Sequence, residues 1–182
     1  MNILESIMNA GDGAAVRQIA SQLGLSETQA ASAMSALVPA LSAGLQRNAQ
    51  TQDGLSSLIG ALTGGSHQRY IEDPATLTNA ETVADGNGIL GHIFGSKDVS
   101  RQVAAHAGAQ TGLAPDVMKR MLPLVATLVM GAMSRQVAAS GPASLNTAGG
   151  GGLLDMLSGA LDRNKDGSAL DDIAGILGRL GR

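Results

Sequence analysis

The sequence has no cysteine and no tryptophan, and Tyr70 and Phe94 are its only tyrosine and phenylalanine. Lack of cysteine excludes disulfides, thiolate metal ligands and cysteine nucleophiles together, and leaves the redox compartment unmarked. With aromatics so scarce and 44% of the residues hydrophobic, a core has to be assembled from Ala, Leu, Ile, Val and Met, small side chains that let helices approach closely. Charge is scarce too: 15% of residues are charged and the net charge is -3. No basic field exists to hold a polyanion or an anionic membrane, so nucleic-acid binding is disfavoured. Met1 to Ala14 carries Glu5 and Asp12 and no basic or long apolar stretch, which gives no secretory signal and makes a cytoplasmic location the expectation. The most apolar run, Met121 to Met133, is interrupted by Pro123 and falls short of the roughly 20 residues a spanning helix needs. It is read as a buried core helix, and no membrane span is expected.

What is present is helical periodicity. At 182 residues the chain accommodates one main domain and an appendage. Ile3, Leu4 and Ile7 share one face of a helix over residues 2–8, which Gly11 and Gly13 bring to an end. A second helix is expected over 14–23. A third starts at Ser26 as N-cap, carries Ala30, Ala33, Met34, Leu37, Leu41 and Leu45 at helical spacing, and runs to about Gln46 with a bend at Pro39. A short helix over 54–62 follows. Residues 63–88, rich in Gly, Ser, Asn and Asp and containing Pro74, read mostly as loop, with Asp85 to Gly88 as a turn.

That connection separates two similar halves. Arg17, Gln18, Ile19 and Ala20 before Pro39 find a counterpart in Arg101, Gln102, Val103 and Ala104 before Pro123, both at an offset of 84 residues. Ile3-Leu4 and Ile7 recur as Ile89-Leu90 and Ile93. The fold class expected is therefore all-α: a multihelical bundle of two degenerate repeats over residues 1–136 (units about 1–62 and 87–136), a Gly/Ser/Ala-rich linker over 137–152, and an EF-hand-like helix-loop-helix over 153–182.

The last segment carries the clearest chemistry. From Asp162 the chain reads DRNKDGSALDD. Asp162, Asn164 and Asp166 alternate so that three short oxygen side chains converge on one hard cation, and Gly167 allows the turn that aims the Ser168 carbonyl inward. Position 12, normally a bidentate Glu, is Ile173, so the closing carboxylate falls to Asp171 or Asp172. Leu153, Leu154, Leu157 and Leu161 form an apolar stripe before the loop, and Ile173, Ile176, Leu177 and Leu180 form one after it. Calcium is the expected ligand. The competing reading is a polar turn in which Asp171 or Asp172 caps the final helix.

Other signals have plainer explanations. Val16 to Met34 resembles a helix-turn-helix, but its second helix offers Glu27, Thr28, Gln29 and Ser32 and no cation before Arg47; the corresponding later helix adds only Lys119 and Arg120. The phosphate contacts that dominate DNA affinity are missing, and antiparallel helix packing is preferred. His67, His92 and His106 have no metal-ligand spacing and read as surface or loop residues. Met118, Met121, Met130 and Met133 recur at helical spacing and read as core.

The NILESI start, the GLS-capped helix carrying ALVPAL and the later MLPLVATLVMGAM helix resemble the bacterial domain-of-unknown-function family 937, the YidB-like family, over roughly Met1 to Gln136. The resemblance implies a multihelical cytosolic bacterial fold and brings no catalytic residues. The function expected is a non-enzymatic calcium-binding interaction or self-assembly protein. A homo-oligomer and a protein partner at the C-terminal hairpin are its expected associations. The alternative is a helix-turn-helix-like nucleic-acid-associated regulator. An enzyme would need a polar cleft built from residues such as Asp85, His92 and Asp98.

Overall fold

A computed structural model describes residues 3–64 and 66–140, and every regular element among them is helical. In order these are α1 (Ile3–Met8), α2 (Ala14–Leu23), α3 (Glu27–Ala49), α4 (Gln52–Gly64), the one-turn α5 (Arg69–Glu72), a 3-10 helix (Pro74–Thr78), α6 (Ala80–Phe94), α7 (Lys97–Thr111) and α8 (Pro115–Ser140). The all-helical class follows from the 3.6-residue apolar spacing of the sequence.

The starts and stops of the first three helices obey local chemistry. Gly11 and Gly13 take positive φ between α1 and α2, and Gly24 closes α2 in the left-handed conformation with its N–H on the Ala20 and Ser21 carbonyls. Ser26 then caps α3: its Oγ accepts from Gln29 N at 3.2 Å while its own N–H donates to Gln29 Oε1 at 3.0 Å. Two otherwise orphaned amides are thereby satisfied in a capping box. Pro39 lies inside α3, which continues beyond it to Ala49. All six apolar positions expected of this helix, from Ala30 to Leu45, are buried.

α8 is the axis of the bundle. Residues 121–134 are buried without interruption, and α8 packs against each of the other seven α-helices. A helix that is apolar all round belongs at a centre, since no face is left for water. Met118, Met121, Met130 and Met133 are all in this core. The helix is longer than the apolar run suggests, starting at Pro115 and continuing past Gln136 into the segment read as linker. By length and composition the stretch Pro115–Ala139 could cross a membrane, with a mean hydropathy of 1.3, yet 83% of its apolar window is enclosed by the other helices. That enclosure is what a core helix requires.

The expected loop over 63–88 is largely helical instead. Asp73 accepts from Ala75 N at 3.1 Å and Pro74 occupies the first turn of the 3-10 helix, so local capping builds structure from residues that read as breakers. Asp85 to Gly88 lie inside α6 rather than in a turn. The reason is tertiary: a Cβ at position 86 would lie 2.2 Å from the Pro123 carbonyl oxygen, so glycine is what lets α6 lie on α8. Gly131 of α8 does the same for the turn before α5, where a Cβ would meet the His67 carbonyl oxygen at 2.7 Å. Local turn preference yields to close helix packing at both places.

Candidate functional site

Asp162, Asn164, Asp166, Ser168, Asp171 and Asp172, the residues read as a calcium loop, lie outside the described residues, as do the linker beyond Ser140 and the hairpin over 153–182. Among the described residues no group of three His, Cys, Asp or Glu side chains is placed to hold a metal ion.

The helix-turn-helix-like segment folds as α2, the left-handed Gly24 and the capped α3. Glu27, Thr28 and Gln29 are exposed at the start of α3. On α8, Lys119 is engaged by Asp116 at 3.0 Å, so its charge is already answered.

The most connected polar cluster joins α5 to α6. Glu81 and Asp85 lie one helical turn apart on α6 and face Arg69 and Tyr70. The Tyr70 hydroxyl donates to Asp85 Oδ2 in a short hydrogen bond. Arg69 Nη2 donates to the Tyr70 hydroxyl at 2.8 Å and to Asp85 Oδ2 at 3.2 Å, and stands 3.7 Å from Glu81. The guanidinium carbon also lies 4.9 Å from the centre of the Tyr70 ring, a cation-π arrangement. Tyr70 itself is 1% exposed. Burial and the hydrogen bond to Asp85 push its hydroxyl above its ordinary range, so the phenol stays protonated at neutral pH. His67, its ring 6.1 Å from that of Tyr70, is lowered chiefly by burial, partly opposed by Asp85 and assisted by Arg69. The cluster thus holds a protonated phenol, a neutral imidazole and a carboxylate already engaged by two donors. It acts as a clasp between two helices.

Neither of the two clefts lined by His92 is lined by Asp85 or Asp98. Asp85 and His92 are two turns, about 10.5 Å, apart on α6. Asp98 on α7 pairs with Arg101 at 2.9 Å. His92 and His106 are exposed, as expected, whereas His67 is half-buried. The pairing of Arg69 and Tyr70 with α6 had no signature in spacing, because both lie in a stretch that reads as loop.

One furrow opens beside His92. Its apolar end, a cavity of about 90 Å³ between α4 and α6, is floored by Leu45, Leu58, Ile93 and Met130, with Ser57, Ala61, Ile89 and His92 at its mouth. Across His92 and Ile93 it continues into a cleft of about 300 Å³ that reaches Arg47, Phe94 and Val99. Val99 is the one large hydrophobic side chain exposed among the described residues. Asn48 Nδ2 donates to the His92 carbonyl at 2.7 Å and ties α3 to α6 at the floor.

No curated protein and no solved structure matches the chain. Residues 5–136 match the family described as bacterial protein of unknown function, DUF937. These residues take in all of α2 to α7 and most of α1 and α8, the whole packed body around the central helix. This chain belongs to the DUF937 family of bacterial proteins of unknown function.

Proposed function

We propose that this chain is a non-enzymatic, cytoplasmic interaction or self-assembly protein, a helical body joined to a C-terminal calcium-binding hairpin. The observation that carries the reading is the run DRNKDGSALDD from Asp162, where alternating oxygen side chains precede a glycine between two apolar stripes. Against an enzyme stands the state of the body's main titratable cluster, in which the Asp85 carboxylate is taken up by Tyr70 and Arg69. The recurrence of a helix, a left-handed glycine followed by Leu, and a long Pro-containing helix at α2–α3 and at α7–α8 supports the two-repeat reading of the body. Four carboxylates in the loop repel one another when no ion is bound, and calcium relieves that repulsion and brings the two stripes together.

Titration calorimetry tests the site. Wild type is expected to give a calcium heat at millimolar ion or below that Asp162→Ala with Asp166→Ala abolishes. An undiminished heat in the double variant would refute it. Magnesium is expected to compete poorly, because it demands a tighter octahedral shell. Light scattering with and without calcium tests assembly, and a strict monomer in both would remove that half of the reading. Salt-sensitive binding in a low-salt gel shift would instead favour the nucleic-acid alternative at α2–α3.

A further inference from the structure

We infer that the apolar end of the furrow between α4 and α6 is a docking groove for this chain's own segment Leu153 to Leu161. By itself the cavity of about 90 Å³ is too small for a cofactor or drug-sized ligand, which takes roughly 300–1,000 Å³, and the open cleft beyond His92 only reaches the lower bound of that range. It is also smaller than the roughly 150 Å³ apolar cavity that holds a benzene ring. What it fits is an aliphatic side chain, and its mouth is shaped for the helix that would deliver one. Ser57, Gly60, Ala61 and Gly64 form an i, i+3, i+4, i+7 stripe of small residues on α4, and nothing lies within 4 Å of a Cβ built at Gly60 or Gly64. Ser57 and Ala61, one turn apart on α4, put small side chains at the mouth opposite Ile89 and His92 of α6 and leave room for a helix to lie along it, the helix-in-groove mode of recognition.

The occupant is identified by supply and by reach. The described surface exposes a single large hydrophobic, Val99, so the described helices present little fully exposed apolar surface to a second copy. Beyond Ser140 the sequence carries Leu153, Leu154, Leu157 and Leu161, four leucines within an arc of about 100° if helical. Such a stripe has to be buried against something. Reach allows it. Met130 in the groove floor and Ser140 belong to the same helix, about 15 Å apart along its axis. A Gly-rich tether over 141–152 would span about 19 Å on average and about 40 Å at full extension. The inference stands whether or not the loop binds calcium. If it does, docking and the pairing of the two stripes compete for the same leucines, and the groove becomes the resting place of the hairpin's first half.

Because the sequence has no cysteine, two introduced thiols report on one contact. Gly60→Cys, next to Ala61 of the groove mouth, and Ser158→Cys, beside the leucine stripe, are expected to form an intramolecular disulfide under mild oxidation. The rate should exceed by roughly tenfold that of a control pairing Ser158→Cys with Glu27→Cys, at the far end of α3, about 27 Å along the helix from Leu45. Adding Leu157→Asp, which leaves the body's residues unaltered, should bring the two rates together. Equal rates in the parent pairs would overturn the inference. So would persistence of the preference in Leu157→Asp, or a 60–158 bond that forms only between chains, since the occupant would then be a second copy.

Discussion

Gly86 tests how α6 is seated on the central helix. An alanine Cβ at this position would lie 2.2 Å from the Pro123 oxygen, 2.7 Å from its carbonyl carbon and 2.8 Å from its Cα. Ordinary carbon-oxygen contact is about 3.3 Å, so α6 would have to withdraw by about 1 Å. All three obstructing atoms are backbone, and no rotamer change relieves them. Overpacking costs about 1–3 kcal/mol, and the upper end applies when two helices must separate, because a gap of this size forfeits a quarter to a half of the dispersion energy along the seam. Alanine recovers about 1 kcal/mol of helix propensity relative to glycine. The net expectation for Gly86→Ala is a loss of about 2 kcal/mol. Gly88, two residues on in the same helix, is the control: its Cβ would meet nothing within 4 Å, and Gly88→Ala is expected to stabilise by about 0.5–1 kcal/mol. Urea unfolding followed by circular dichroism at the helical band, with the denaturant slope unchanged, measures both. The two midpoints on heating should differ by roughly 6–12 °C. If the variants shift in the same direction, the close backbone approach of α6 to Pro123 is refuted.

Tyr70→Phe removes the hydroxyl that links Asp85 to Arg69 and should cost about 1 kcal/mol by urea unfolding, water replacing part of what Asp85 loses; no change would mean the clasp carries no stability. His67 titrates below its ordinary value in the folded protein because it is buried, so the unfolded chain binds the proton more readily. Its contribution to stability is whole above the unfolded pKa of about 6.5 and is lost as pH falls from there through the folded value. Unfolding free energies at pH 7.5 and 5.5 should therefore fall more in wild type than in His67→Gln, and equal falls would count against the assignment. Ser26→Ala removes the capping box of α3 and should cost about 1 kcal/mol, whereas Ser26→Asp should retain most of it; a neutral Ser26→Ala would show that the cap adds nothing to a helix so fully packed.

What the sequence made legible is what local chemistry decides. α2 and the Ser26 start of α3 are written in a glycine, a capping serine and apolar residues at helical spacing, and the structure places them where that reading did. α6 was illegible because Asp85, Gly86, Asn87 and Gly88 carry the composition of a turn, and only the Pro123 backbone opposite explains why a helix needs glycine there. The length of α8 was understated for a related reason: its ends carry Asp116, Lys119, Arg120 and Arg135, which hide helical continuity from an apolar-run reading. Of the candidate sites, the clasp at Arg69, Tyr70 and Asp85 depends on a contact between residues 15 and 16 apart that no periodicity announces. The run from Asp162 to Asp172 lies outside the described residues, and its reading as a calcium loop rests on the sequence alone.

Tyr70 also gives the molecule a built-in optical reporter. With no tryptophan to mask it, the emission of this single phenol is the protein's own fluorescence. In the folded chain its hydroxyl is bonded to a carboxylate, an arrangement that quenches tyrosine emission by drawing the proton toward the acceptor. Brightening of the intrinsic signal would therefore mark the moment at which α5 parts from α6, separately from the loss of helix elsewhere. An unlabelled sample can thus reveal whether that seam opens before the rest of the bundle or together with it.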